Sequence, residues 1–250
     1  MARSWQEANK FKRVLNHRLI EIRETDRGRG IFSTALQPKG ALVAAFVGEA
    51  IAIPVFHSQE EEAAFERSKD AEYAVTYAWD AEQNVYQALR PDPDEIGGHL
   101  ANHSCNPNAK FTELHRGALM MRATRPIPAG DEITIDYHWQ RPAPIACSCG
   151  SDPCTGNIGL TYTIVDAPAA DGTINSYLNF DRAQVIKLLQ VAEAHHNIDA
   201  LRVLRVRDQW IAKEQLFKYF QDAFGSGRRD CWLTRNIHRL AKSPLSGARD

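Results

Sequence analysis

Four of the five cysteines, Cys105, Cys147, Cys149 and Cys154, lie within one stretch of the chain. Cys147-x-Cys149-x4-Cys154 places three thiols on one short loop, with Gly150 available to fold the chain back so that they converge. Zinc takes four ligands in a tetrahedron and is well served by thiolates. Cys105 is available as the fourth. Such a site would pin residues 147–154 against residues 102–108 and couple metal binding to folding. Buried, unmetallated thiols are the alternative for the same spacing. An odd, clustered set fits metal binding better than a disulfide framework and implies a reducing, intracellular setting, nucleus or cytoplasm. Cys231 stands apart and reads as a buried residue.

With 250 residues the chain can bury a sizeable core as one large domain or two small ones. Its 44% hydrophobic and 24% charged residues are ordinary for a globular protein. A formal charge of −1 argues against a protein that coats nucleic acid. The sign of charge changes along the chain. Residues 181–250 hold 13 Lys/Arg against 8 Asp/Glu, which leaves a formal −6 for residues 1–180. An acidic first part suits a cationic substrate such as a lysine-rich peptide. A solvated surface with uneven charge explains the same numbers. No apolar stretch approaches the length of a membrane span, and the N-terminus lacks the apolar core of a signal peptide.

Short strands dominate the pattern up to residue 140. Residues 17–24 alternate weakly and read as a strand that turns at Arg27-Gly28-Arg29-Gly30. Residues 41–47 are a continuous apolar run of buried-strand length. Residues 58–70 read as a helix, with Ser58 as N-cap and Glu61 at the capping-box spacing. Residues 73–79, 85–89, 118–124 and 132–137 read as further strands, the last ending in Tyr137. Val185, Leu188, Leu189 and Ala192 recur at helical spacing, and Leu201, Leu204, Phe217, Phe220 and Phe224 do so less regularly. They predict a helical tail, set off by a loop at residues 167–172.

Five pieces in this order resemble a SET-domain protein-lysine methyltransferase with a post-SET zinc loop. They are Arg27-Gly28-Arg29-Gly30-Ile31, Phe46-Val47-Gly48-Glu49, Asn102-His103-Ser104-Cys105-x-Pro107-Asn108, Gly130-Asp-Glu-Ile-Thr-x-Asp136-Tyr137 and the cysteine loop. The resemblance covers roughly residues 17 to 160. It implies a mostly β, pseudoknotted β-clip fold with a SET domain over 17–140 and a post-SET zinc loop over 141–162. A C-terminal α-helical extension would follow over 175–245. It implies S-adenosylmethionine (SAM) and zinc as cofactors. The partner would be a protein or peptide lysine, of a histone or another protein, with no nucleic acid or membrane.

The resemblance also assigns roles. Gly28, Arg29 and Gly30 would bring backbone close to SAM, with Asn102, His103 and Tyr73 as further contacts. Tyr137 would be catalytic, orienting a deprotonated lysine amine for in-line attack on the methyl group. Cys105, Cys147, Cys149 and Cys154 would hold zinc. The sequence departs from the family at several points. Phe46 replaces a frequent tyrosine. Ile135 replaces an aromatic residue and leaves more room, against strict monomethylation. His99-Leu100-Ala101 replaces Arg-Phe-Ile/Val, and Glu95-Ile96 replaces Gly-Asn. These departures keep two alternatives open: an enzyme of this fold acting on a small molecule, and a non-catalytic module that binds SAM or a partner.

Overall fold

The structure is a computed structural model that describes residues 13, 15–54, 59–68, 73–80, 82–115, 117–137, 140–141, 144–168, 174–195, 205–206 and 209–210. The chain divides into two compact units, Met1–Ile135 and Asp136–Asp250.

In the first unit, residues 15–19 are helical and lead into β1 (Ile20–Thr25). The weak alternation from residue 17 therefore misplaced the strand start. A tertiary anchor overrides it. Asn16 is fully buried, donates from Nδ2 to the Ala45 and Ile96 carbonyls (2.9 and 3.2 Å), and accepts the Ala45 N–H at 2.7 Å. β2 (Gly28–Ser33) pairs antiparallel with β1, Thr25 opposite Gly28. Next come β3 (Leu42–Val47), β4 (Glu49–Pro54), α1 (Gln59–Glu66), β5 (Val75–Asp80) and β6 (Val85–Arg90). Ser58, the expected cap of α1, lies outside the described residues. A 3-10 turn (Gly98–Leu100) precedes β7 (Asn102–His103), β8 (Ala109–His115), β9 (Ala118–Ala123) and β10 (Thr134–Ile135).

Two three-stranded sheets, in the orders β3-β9-β8 and β4-β6-β5, carry most of this unit. The apolar run of β3 is buried from Val43 to Val47, as expected of a strand covered on both faces. With Ile20, Ile31, Leu89, Met121, Ile127 and Ile133 it forms the core. Burying one such large side chain contributes roughly 1.5 to 3 kcal/mol. β8 went unread in the sequence because Lys110, Glu113 and His115 break its apolar pattern, and pairing to β9 supplies the order. The segment before β10 is stitched to β2 by Ser33 N–H to the Asp131 carbonyl (3.0 Å) and Ile133 N–H to the Ile31 carbonyl (2.8 Å).

The second unit contains β11 (Gln140–Arg141), β12 (Leu160–Pro168), β13 (Ile174–Phe180), α2 (Arg182–Ala194), β14 (Arg205–Val206) and β15 (Gln209–Trp210). β12 pairs parallel with β11 and antiparallel with β13. The expected loop at 167–172 is thus partly strand, since Ala167 and Pro168 close β12. The extension expected to be helical from 175 also opens as a strand. The run Thr161-Tyr162-Thr163-Ile164-Val165 carries the β-branched and aromatic signal that reading missed. α2 starts where Asp181 accepts the Gln184 N–H at 2.8 Å, an aspartate N-cap. Val185, Leu188, Leu189 and Ala192 are buried at the expected helical spacing, with Val191 beside them. The remaining apolar positions of the predicted tail, Leu201, Leu204, Phe217, Phe220 and Phe224, lie outside the described residues, as does Cys231. Among the described residues no helix is long and apolar enough to cross a membrane.

Candidate active site and metal loop

The first unit assembles its candidate site on the parallel pair β7–β10, which sets Asn102 beside Thr134 and His103 beside Ile135. The pair extends through Ser104 N–H to the Ile135 carbonyl at 2.8 Å. Asn108 ties off the other end: its Nδ2 donates to the Glu132 carbonyl (2.8 Å) and its Oδ1 accepts the Thr134 N–H (2.9 Å). Two strands of two residues each are too short to hold themselves together. These side-chain bonds supply the missing order.

Glu132 is the hub. One carboxylate oxygen forms an ion pair with Arg27, and the other accepts Asn102 Nδ2 at 2.8 Å. Arg27 also donates to the His103 carbonyl at 2.9 Å. The Arg27 and Glu132 side chains are only 18% and 19% exposed, so the pair is largely desolvated, and removing one partner would strand the other charge. Sequence reasoning assigned no role to either side chain. A charged residue embedded in the Gly130-Asp-Glu-Ile-Thr motif was the available signal.

The two glycines of the first motif have different physical reasons. Gly28 adopts φ +90°, and a Cβ there would meet nothing within 4 Å. It serves the turn and leaves open space. A Cβ on Gly30 would stand 2.7 Å from Glu132 Oε1 and 2.9 Å from Asn102 Nδ2. Gly30 is therefore glycine so that this hydrogen-bonded pair can close over it. Arg29 between them reaches the Pro93 carbonyl at 2.9 Å.

His103 and Tyr73 also turn out differently in detail. His103 is buried, and its Nε2 lies 3.5 Å from Cys105 Sγ, which orients the ring toward a thiol. Tyr73 lies before β5 in a turn at φ 54°, not in the strand the sequence predicted. It is 43% exposed and meets the His99 ring edge to face, with centroids 5.5 Å apart. On its other side His99 meets Phe46 at 6.0 Å, and Phe46 meets Phe111 at 5.8 Å. His99 is itself 8% exposed, and neither ring nitrogen makes a well-formed hydrogen bond among the described residues. Burial, helped by the Arg29 charge, pushes the imidazole down to about 4. The Pro93 carbonyl, which accepts from Arg29 at 2.9 Å, also serves the ring as a weak acceptor and opposes the downward shift of its pKa. His99 is thus neutral at physiological pH.

The second unit holds Tyr137 and the cysteine loop. Tyr137 is half-buried and follows β10 by two residues; the strand expected to reach it stops at Ile135. The loop's two arms are laddered by Cys147 N–H to the Gly156 carbonyl (3.0 Å) and Ile158 N–H to the Ile145 carbonyl (2.8 Å). Cys149 and Cys154 Sγ are 3.7 Å apart, and Cys154 accepts the Gly156 N–H at 3.3 Å. Burial pushes the Cys147 thiol up to about 12, with the neighbouring thiols adding to the rise. Close thiols cannot all ionise without a cation to share the charge.

The SET-domain family matches residues 28–138. Over these residues the chain is similar to the SET domain. Among curated relatives, the histone-lysine N-methyltransferase SUV39H2 of Xenopus tropicalis is 30% identical over 162 residues, covering 54% of this chain and 38% of that protein. The methyltransferase flvH of Aspergillus flavus is 32% identical over 92 residues, covering 34% of this chain and 51% of that protein. The chain thus spans about half or less of the length of these relatives. The methyltransferase domain of human SETMAR matches at TM-score 0.41 and 21% identity, over 56% of this chain and 57% of that one.

SET methyltransferases use SAM. The matched residues offer such a group open backbone at Gly28 and the exposed Tyr73 ring beside the neutral His99. Within the second unit, Cys147, Cys149 and Cys154 are an all-thiol set whose chemistry is compatible with zinc.

Proposed function

We propose that the protein is an intracellular protein-lysine N-methyltransferase, with SAM as methyl donor and a lysine side chain of a histone or other protein as acceptor. The observation that carries this reading is the β7–β10 pair. It brings the Asn102-His103 signature against the strand from which the chain runs directly to Tyr137. The names of the relatives support the same chemistry. The formal −6 of residues 1–180 suits a cationic peptide.

When bound, SAM supplies an electrophilic methyl group on a sulfonium. The chain's own residues have three tasks. Gly28, Arg29, Gly30, Tyr73, Asn102 and His103 hold the donor. Asn102 and Gly30 act through the Glu132 network, and Tyr73 acts beside the neutral His99. Tyr137 orients the acceptor amine with its hydroxyl and stabilises it electrostatically. The amine must lose its proton to attack, and an apolar approach lowers its pKa from about 10.4. Phe46 adds apolar surface where a tyrosine would add a hydroxyl. Buried Ile135 leaves more room than an aromatic ring, which favours more than one methyl addition. Cys105, Cys147, Cys149 and Cys154 hold a structural zinc.

The test is incubation of zinc-replete protein with methyl-labelled SAM and a cell extract supplemented with histones, beside Tyr137→Phe. Label on proteins that disappears in the variant supports the proposal. SAM binding without protein labelling overturns it, and label confined to small molecules points to a small-molecule methyltransferase of the same fold.

A further inference from the structure

The helix α2 lies beyond the residues that match the SET family, yet its side chains reach back to the cysteine loop within the second unit. His195, just past its end, makes a 3.0 Å hydrogen bond from Nε2 to the carbonyl of Pro153, the residue before Cys154. Lys187 approaches Gly156 so closely that a Cβ there would stand 3.0 Å from its Nζ. Gly156 is the residue whose N–H donates to Cys154 Sγ. At the far end of the loop, Gln184 Oε1 accepts the Thr161 N–H at 2.7 Å. Gln184, Lys187, Val191 and His195 recur at spacings of three and four and so share one face of the helix. Val191 on that face is buried, which seats the helix while the polar members reach the loop.

We propose that Lys187 and His195 are positioning residues for the metal loop: the helix clamps both flanks of Cys154 and slows release of the zinc. This rests on the zinc reading above. Three loop thiolates around one divalent cation leave net negative charge, which the Lys187 ammonium offsets at close range. The His195 bond fixes the backbone on one side of Cys154, and the Lys187 contact restrains Gly156 on the other. Opening the loop therefore requires breaking contacts to a separate helix, not merely unwinding a short turn.

The experiment uses the full chain. Zinc content is measured first, then the rate of zinc release to a chromogenic chelator, for wild type, Lys187→Ala, Lys187→Arg, the double variant Lys187→Ala/His195→Ala, and Val191→Ala. Wild type should hold zinc. The double variant should release it on the order of 10-fold faster, the lower range for losing outer-shell partners of a metal site. Lys187→Arg should recover most of the single-variant loss, because it restores the charge. Equal release rates for wild type and the double variant would overturn the clamp. So would Val191→Ala accelerating release as much as the double variant, since that would reduce the effect to helix packing. Absence of zinc from wild type would instead remove the zinc reading, and the clamp with it.

Discussion

Gly30→Ala tests the claim that the candidate site is organised by a closed polar network and not merely by open backbone. The added Cβ would stand 2.7 Å from Glu132 Oε1 and 2.9 Å from Asn102 Nδ2, distances at which something must move. Neither neighbour moves cheaply. Glu132 is held by Arg27, and Asn102 is held by Glu132 and, at 3.4 Å, by the Arg29 carbonyl. Overpacking a tight site costs about 1 to 3 kcal/mol, and loosening a charge-assisted hydrogen bond places this variant in the upper part of that range. At about 2 to 3 kcal/mol, melting should fall by roughly 5 to 10 °C for a chain of this size. Gly28→Ala meets no atom and costs only the strain of a positive φ, about 1 to 2 kcal/mol. The decisive assay is a double-mutant cycle of Gly30→Ala with Asn102→Ala by denaturant unfolding. Removing the Asn102 amide makes room for the methyl, so the double variant should be more stable than the sum of the singles by at least about 0.5 kcal/mol. Additive losses, or an unchanged melting temperature in Gly30→Ala, would refute the reasoning.

Three more outcomes follow from the same structure. Asn16→Ala should cost about 2 to 4 kcal/mol in denaturant unfolding, because it leaves the N–H and carbonyl of fully buried Ala45 without Asn16. Between about pH 6.5 and 4 the unfolded chain protonates His99 while the folded chain does not, so stability should fall as pH drops through that window. The full effect is on the order of 3 kcal/mol, and His99→Gln should flatten that part of the stability–pH curve. Cys149→Ser should lower zinc content measured by elemental analysis, and chelation of wild type should lower its melting temperature.

The parts of the site that were legible in the sequence are those whose meaning is local. Cys147-x-Cys149-x4-Cys154 reads locally as a convergent loop, and the structure sets Cys149 and Cys154 Sγ 3.7 Å apart. The apolar run of β3 could be read as a buried strand because burial on both faces needs no partner pattern. What stayed hidden depends on residues far apart in the chain. His99 gains significance only because Phe46 and Tyr73 close on it from separate segments. Glu132 gains it only because β2 and β7 converge there. Tyr73 reads as a strand residue by propensity, yet a left-handed backbone turns its ring onto His99. Leu19 was misread for the same reason, since the anchor that holds its helical turn is the hydrogen bonding of Asn16 to Ala45.

The short β7–β10 pair has a consequence for how the protein folds. Arg27 and Glu132 are 105 residues apart in the chain, and Asn102 and Glu132 are 30 apart. Loop-closure entropy must be overcome before such contacts contribute anything. Local hairpins such as β1–β2 and β8–β9 can form early, whereas Ser104 and Ile133 acquire their backbone partners only when distant segments meet. The Glu132 network, which needs segments far apart in the chain, is therefore expected to close late in folding. A nascent chain still lacking Glu132 can be rich in β-structure and yet leave Arg27 and Asn102 without the carboxylate that joins them.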